Sequence, residues 1–158
     1  MNVELVKMNE VDFEHFLDTA VVNFAEDKVR NGSWKRETSL EQSQEAFGNL
    51  LPDREKTENH YLKNIVVEGE TIGYLWYAVH KEQQPNYAYL YEIFVSAEHR
   101  GRGFGKQVMT LFMQEVKALG IDDVWLHVFG HNNGALKLYQ QLGFEITDYN
   151  MRASTSLF

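Results

Sequence analysis

Apolar residues recur along this chain in two rhythms, and the switches between them mark out its elements. Val3 to Lys7 alternates weakly and reads as a first strand. Residues 10 to 30 carry Phe13, Phe16, Leu17, Ala20, Val21 and Phe24 at helical spacing, and Asn31-Gly32 ends that helix. Thr38 or Ser39 can cap a second helix, with Glu41 or Gln42 placed for a capping box, running to about Leu51 before Pro52. A polar loop follows, from Leu51 to His60. Tyr61 to Val67 and Thr71 to His80 form a hairpin around Glu68-Gly69-Glu70, and Tyr87 to Val95 is a third strand of this meander. Helix 104–119 puts Val108, Leu111, Phe112, Val116 and Leu119 on one face, with Gly120 as its stop. Val124 to Phe129 reads as a strand. Asn132 or Asn133 caps a last helix ending at Gly143, and Phe144 to about Ala153 is the final extended piece.

The order is therefore β-α-α-β-β-β-α-β-α-β, a mixed central sheet flanked by helices in an α/β (α+β) domain. The passage from 87 to 128 implies a parallel pair with a right-handed crossover. Tyr87 to Val95 is apolar on both faces, as a central strand should be, and one carboxylate, Glu92, interrupts it.

Composition narrows the picture. The 158 residues make one domain, 1–158, with a real core and leave too little chain for two. A hydrophobic content of 44% fits a soluble globular protein. There is no run of 18 apolar residues and no charged-then-apolar N-terminal signal, so the expected location is cytoplasmic, with no membrane partner. With no cysteine, the chain has no thiol nucleophile, no disulfide and no Cys-type zinc site. The net charge of −8 argues against nucleic-acid binding and suits a cationic acceptor.

The densest signal is Glu92-Ile-Phe-Val-Ser-Ala-Glu-His-Arg-Gly-Arg-Gly-Phe-Gly-Lys106. A strand runs into a loop with Gly101, Gly103 and Gly105, and a helix begins at once. Such a loop aims backbone N–H groups at one point, which suits a phosphate or pyrophosphate. Two familiar loops fail by spacing. The dinucleotide fingerprint needs glycine where Lys106 stands. The P-loop needs glycine at Arg100 and Ser or Thr at Gln107. What remains is Arg100-x-x-Gly103-x-Gly105. Downstream lies Asn132-Asn-Gly-Ala135-Leu-Lys-Leu-Tyr139-Gln-Gln-Leu142-Gly143-Phe144.

Together these resemble the acyl-CoA-binding and Asn-x-x-Ala-x-x-x-Tyr-x-x-x-Gly-Phe motifs of the GNAT superfamily of N-acetyltransferases, most clearly over residues 87–152. The resemblance implies a GNAT-type acyl-CoA N-acyltransferase fold. It also implies transfer of an acetyl group from acetyl-CoA to a primary amine by direct attack in a ternary complex, without a metal. Partners would be acetyl-CoA and a small-molecule or protein amine, and a homodimer is common among such proteins. The family usually ends in two strands, whereas residues 144–158 leave room for one strand and a stub. The alternative is a non-catalytic acetyl-CoA-binding sensor or regulatory module.

Site residues follow from the residue chemistry and the resemblance together. Glu92, with a pKa raised by burial, can take the proton of an ammonium group, or it can pair with a neighbour and only order the site. Tyr139 reads in isolation as a core aromatic, and the resemblance makes it the acid that protonates the leaving thiolate. Asn132 is either a helix cap or a hydrogen-bond partner of the pantetheine arm. The resemblance gives Ile93, Phe94 and Val95 as backbone groups for that arm, beside the next parallel strand. The loop Arg100, Gly101, Arg102, Gly103, Phe104, Gly105 and Lys106 would hold the pyrophosphate, through N–H groups and added positive charge. His127 and His131 lack a metal-binding pattern, and His127 reads as a core residue. Trp34, Trp76 and Tyr77 are aromatic candidates for an acceptor wall and fit the core equally well.

Overall fold

The computed structural model describes residues 2–158. Five strands form one sheet in the order β1-β2-β3-β4-β5, with β1 at Val3–Lys7, β2 at His60–Val67, β3 at Glu70–His80, β4 at Tyr87–Val95 and β5 at Asp123–Leu126. β1 to β4 pair antiparallel, and β5 joins β4 in parallel across the crossover helix α3, Phe104–Ala118. α1 (Glu10–Arg30) and α2 (Arg36–Leu50) cover one face of the sheet. α3 packs on the other, with α4 (Asn133–Gln141) beside it. This is the α+β architecture the hydrophobic rhythm predicts.

Each face has its own core. Phe13, Phe16, Ala20, Val21 and Phe47 of the helix pair bury against Leu62, Tyr74 and Trp76. Val108, Met109, Phe112 and Val116 of α3 bury against Ile65, Leu75, Tyr77, Val79 and Leu90. Alternation along β3 explains the division, because Tyr74 and Trp76 face α1 and α2 while Leu75 and Tyr77 face α3. α1 begins in a full capping box, with Asn9 Oδ1 accepting from the Asp12 N–H and Asp12 accepting in return from the Asn9 N–H.

Three expectations change. α2 starts at Arg36 with no side-chain cap, so neither Thr38 nor Ser39 caps it; the Ser39 hydroxyl instead donates to the Arg36 carbonyl. β5 ends at Leu126 rather than Phe129, and its partner register with β4 ends at Leu90. Phe144 to Ala153 forms no strand, because among the described residues no strand lies alongside it to accept its backbone bonds. Of the two readings left open for Trp76 and Tyr77, the core reading holds: they lie on opposite faces, 2% and 1% exposed.

Candidate active site

The loop after β4 is shaped by its glycines. Gly101 and Gly103 have φ of +74° and +82°, a region that L side chains avoid, and a Cβ on either would meet nothing within 4 Å. Gly103 is the N-cap of α3 and supplies no side-chain cap. From Gly101 to Lys106, six consecutive N–H groups have no acceptor among the described residues. Unpaired donors at a helix N-terminus carry positive potential, so the cradle favours an anion such as a phosphate. α4 lies close by, since a Cβ on Gly105 would stand 3.3 Å from Leu138.

The two arginines of this loop are engaged elsewhere. Arg100 donates from Nε to the Val95 carbonyl at 2.8 Å, and its guanidinium lies over the Phe94 ring. Arg102 lies over the Phe104 ring, beside Glu68 and Glu70. The backbone of the cradle, rather than either arginine, is thus what the loop presents to an anion.

Upstream of the cradle, the sheet opens. β4 and β5 pair from Tyr87 with Asp123 to Leu90 with Leu126, and then part. Tyr91 is an extra residue in the register between β3 and β4, since Trp76 opposes Glu92 while Tyr77 opposes Leu90. Glu92, Ile93, Phe94 and Val95 keep β3 on one side and lose β5 on the other. Gly73 allows β3 to stay close here, because a Cβ on it would lie 1.9 Å from the Phe94 carbonyl oxygen. An edge left open in this way can take an extended amide chain as an added strand.

The chain after β5 turns toward α1. Phe129 packs on Phe24 at 6.3 Å between ring centroids, and His131 Nε2 lies 2.9 Å from Asp27 Oδ1. Trp34 meets Phe24 edge to face at 5.4 Å, with Lys28 over both rings. His127 packs edge-on against Phe129, and the residue as a whole is exposed, so it is not the core residue expected; partial shielding of its ring from water, with the nearby Lys28 charge, lowers its pKa.

Glu92 lies on β4 just past its last pairing with β5. The residue as a whole is only partly buried, yet protein surrounds its carboxyl group closely enough for desolvation to dominate. Burial first, and the negative charge of Asp27 second, push its pKa up to about 8. No ion pair or hydrogen bond neutralises it among the described residues. Tyr139, on α4, is 8% exposed and packs on Phe144. Burial first and the Glu92 charge second push its phenol up to about 12, so Tyr139 is a protonated donor at neutral pH and lies within electrostatic reach of Glu92. Tyr74 is similarly raised, by burial and then by Glu92. Its hydroxyl is buried with no hydrogen-bond partner, the Asn23 amide nearby falling short of bonding geometry. Asn132 is the N-cap of α4, with Oδ1 accepting from the Ala135 N–H at 3.3 Å, and this use of the oxygen leaves its NH2 free to donate elsewhere.

Thus the fold brings together Glu92, Tyr139, the open edge of Ile93–Val95 and the cradle of Gly101–Lys106. Asp27, Tyr74 and Asn23 join them without having been singled out in the sequence, and His131 joins them after being weighed there only as a metal ligand. An aspartate among the many charges of α1 carries no local signal, and a tyrosine in a strand rich in aromatics carries none either.

The model of the acetyltransferase (GNAT) family matches residues 19–144. The chain is 32% identical to the uncharacterized N-acetyltransferase YdgE of Bacillus subtilis, over 96% of this chain and 98% of that one. It is 34% identical to the uncharacterized N-acetyltransferase YycN of the same organism, over 96% of this chain and 97% of that one. The crystal structure of YycN superimposes with a TM-score of 0.93 at 32% identity, covering 97% and 98% of the two chains. AAC(6')-Iy, solved in complex with the bisubstrate analog CoA-S-monomethyl-acetylneamine, shares the fold with a TM-score of 0.63 at 18% identity, covering 98% and 99%.

Proposed function

The chain belongs to the acetyltransferase (GNAT) family and is an N-acetyltransferase, and on that premise we propose that it moves the acetyl group of acetyl-CoA to a primary amine by direct attack in a ternary complex. The observation that carries the reading is the run of six unpaired N–H groups from Gly101 to Lys106, ending beside a strand edge open from Glu92 to Val95. The cradle takes the diphosphate. The open edge takes the amide-bearing arm, with the free NH2 of Asn132 as a further donor. The thioester supplies the acetyl group, and a backbone N–H of the edge polarises its carbonyl.

Glu92 is the base in this reading. An ammonium near pKa 10 is about six units above an ordinary carboxylate, but only about two above Glu92 at about 8. The Tyr74 hydroxyl, buried without a partner among the described residues, and the Asp27 carboxylate near Glu92 favour a cationic amine on this side of the sheet. Tyr139 donates to the leaving sulfur. Its phenol is too weak an acid for easy transfer while Glu92 is charged, since burial first and that charge second hold it at about 12. Once Glu92 has taken the ammonium proton, this source of elevation disappears, and Tyr139 becomes a better donor at the moment the thiolate departs. Base and acid are thereby coupled through one charge, and no metal takes part. An acetyl-CoA-consuming reaction goes with a cytoplasmic location.

A non-catalytic sensor is not favoured, because relatives spanning the whole chain are N-acetyltransferases. The test is calorimetric titration with acetyl-CoA, with Gly103→Asp as control. Micromolar binding is expected in the parent protein and none in the variant, whose carboxylate would meet the diphosphate. Retained affinity in a folded Gly103→Asp variant, or no binding by the parent protein, would overturn the assignment of the cradle.

A further inference from the structure

The last two turns of α1 meet the chain that leaves β5, and they bring opposite charges to it. Asn23 and Asp27, four apart, form one stripe of the helix, and Phe24 and Lys28 form the next. Alternate residues beyond β5 meet them. His131 meets Asp27 at 2.9 Å, Phe129 meets Phe24 at 6.3 Å between centroids, and His127 feels the charge of Lys28. Asp27 in turn acts on Glu92. This wall of the opening therefore has a negative pole, Asp27 with Glu92, and a positive pole, Lys28.

Lys28 is an anomaly in so acidic a chain. With 23 acidic residues against 15 basic ones, a cation readily finds a carboxylate, as Arg36, Arg54 and Lys63 do. Among the described residues no carboxylate lies within ion-pairing distance of Lys28, because Glu26 is taken by Arg36 and Asp27 by His131. Its ammonium lies over the rings of Phe24 and Trp34 instead, 5.6 and 5.4 Å from their centroids, a contact that leaves the charge unneutralised. The residue is also held in place. Its carbonyl accepts from the N–H groups of Ser33 and Trp34 at 3.0 and 3.2 Å, and Asn31 Oδ1 accepts from Ser33 at 2.9 Å. A fixed, half-buried cation without a counter-ion is a seat for an anion. The negative pole has a matching feature in the Tyr74 hydroxyl, 6% exposed and without a partner among the described residues. An ammonium group can donate to its oxygen and to a carboxylate alike.

We propose that the acceptor is an amino acid, with its ammonium group seated by Glu92, Asp27 and the Tyr74 hydroxyl and its carboxylate by Lys28. The inference rests on the acetyl-transfer reading of this site and narrows it. One lysine balances one carboxylate, whereas a phosphate would bring nearly two charges. A polycation would set a second ammonium against Lys28. The net charge of −8 draws cations from a distance but is screened beyond roughly 10 Å in salt, so the local poles decide. Transfer forms the amide C–N bond and breaks the thioester C–S bond. The ammonium proton passes to Glu92, and the departing thiolate takes one from Tyr139. The product, an N-acetyl amino acid, keeps its carboxylate but has lost the charge that the negative pole attracts, and it leaves more readily than the substrate.

The test measures thiol release from acetyl-CoA with the common L-amino acids and with their carboxamides. At least one acid should be consumed with kcat/KM roughly tenfold or more above that of its amide, the difference lying in KM. The amide carries the less basic amine, so the chemistry of the amine alone would favour it. Lys28→Gln should bring the ratio of acid to amide to about one. Lys28→Arg keeps the charge and the contact with the rings and should preserve most of the preference. The ratio is internal to each variant, so a loss of folded protein lowers both substrates alike and does not change it. A ratio near one in the parent protein, or a preference that survives Lys28→Gln, would overturn the proposal. Acetyl-CoA binding without turnover of any acid would overturn this proposal alone, whereas absence of acetyl-CoA binding would overturn the reading of the site with it.

Discussion

Replacing Glu92 by Gln removes a titration while keeping the shape of the side chain. The folded protein holds a proton on Glu92 up to a pH of about 8, whereas the unfolded chain releases it near the ordinary 4.5. Between those values the folded state binds more protons, so stability falls as pH rises. The contribution of the protonated carboxyl is complete below about 4.5 and lost by about 8. A gap of about 3.5 units, at about 1.4 kcal/mol per unit, makes the loss at most about 5 kcal/mol. Glutamine stays neutral throughout and mimics the protonated acid. The stability of Glu92→Gln relative to the parent protein should therefore rise by up to about 5 kcal/mol between pH 4.5 and 9, the other carboxylates cancelling in the difference. Urea unfolding of both proteins across that range measures it, through the midpoint and slope at each pH. A difference that stays constant within about 1 kcal/mol would refute the reasoning, because it would mean that Glu92 titrates as an exposed carboxylate. The outcome does not depend on knowing the acceptor, which separates the electrostatic claim from the catalytic one.

If the charged form of Glu92 is the base, kcat/KM should climb about tenfold per pH unit below about 8 and then level. Asp27→Asn removes the second cause of the elevation and should move that midpoint to lower pH, while an unmoved midpoint would take Asp27 out of the site. Tyr139→Phe should lower kcat by about a hundredfold or more and leave acetyl-CoA affinity nearly unchanged, as read by steady-state kinetics beside calorimetry; an unchanged kcat would remove Tyr139 as the proton donor. Gly73→Ala would force a methyl group against the Phe94 carbonyl, 1.9 Å from its ideal position, and should cost about 3 kcal/mol or more of stability in urea unfolding. A near-neutral effect there would show that β3 and β4 can separate freely at the open edge.

What the sequence revealed, and what it hid, divides by range. The cradle was legible because Gly101 and Gly103 adopt backbone angles that few other residues tolerate, so local chemistry forces the choice. Glu92 was legible because a carboxylate in a strand apolar on both faces stands out without any knowledge of its neighbours. Asp27 and Tyr74 were not, since their meeting with Glu92 depends on how α1 crosses the sheet. The end of β5 was misjudged for a related reason: Val124 to Phe129 alternates like a strand, but pairing is a property of two strands. Phe129 is taken by Phe24 instead of continuing the ladder. The tail shows the same limit in its strongest form, because its composition promises a strand for which the described residues offer no partner.

The parting of β4 and β5 links these observations. Pairing that ran on past Leu90 and Leu126 would satisfy more backbone groups and leave no room for a ligand. Three features hold the opening against that alternative. The extra residue Tyr91 shifts the register just where the strands separate. Phe129 and His131 anchor the chain after β5 to α1, through Phe24 and Asp27. Arg100 caps the far end of β4 by taking the Val95 carbonyl and stacking on Phe94. Each of these stabilises the splayed form through contacts away from the open edge itself, so the edge is kept free without being made strong. The same opening exposes Glu92 to an incoming amine while the walls on either side keep its carboxyl poorly solvated. One departure from regular pairing thus produces both the binding edge and the raised pKa, and a substitution that closed the opening would remove the two together.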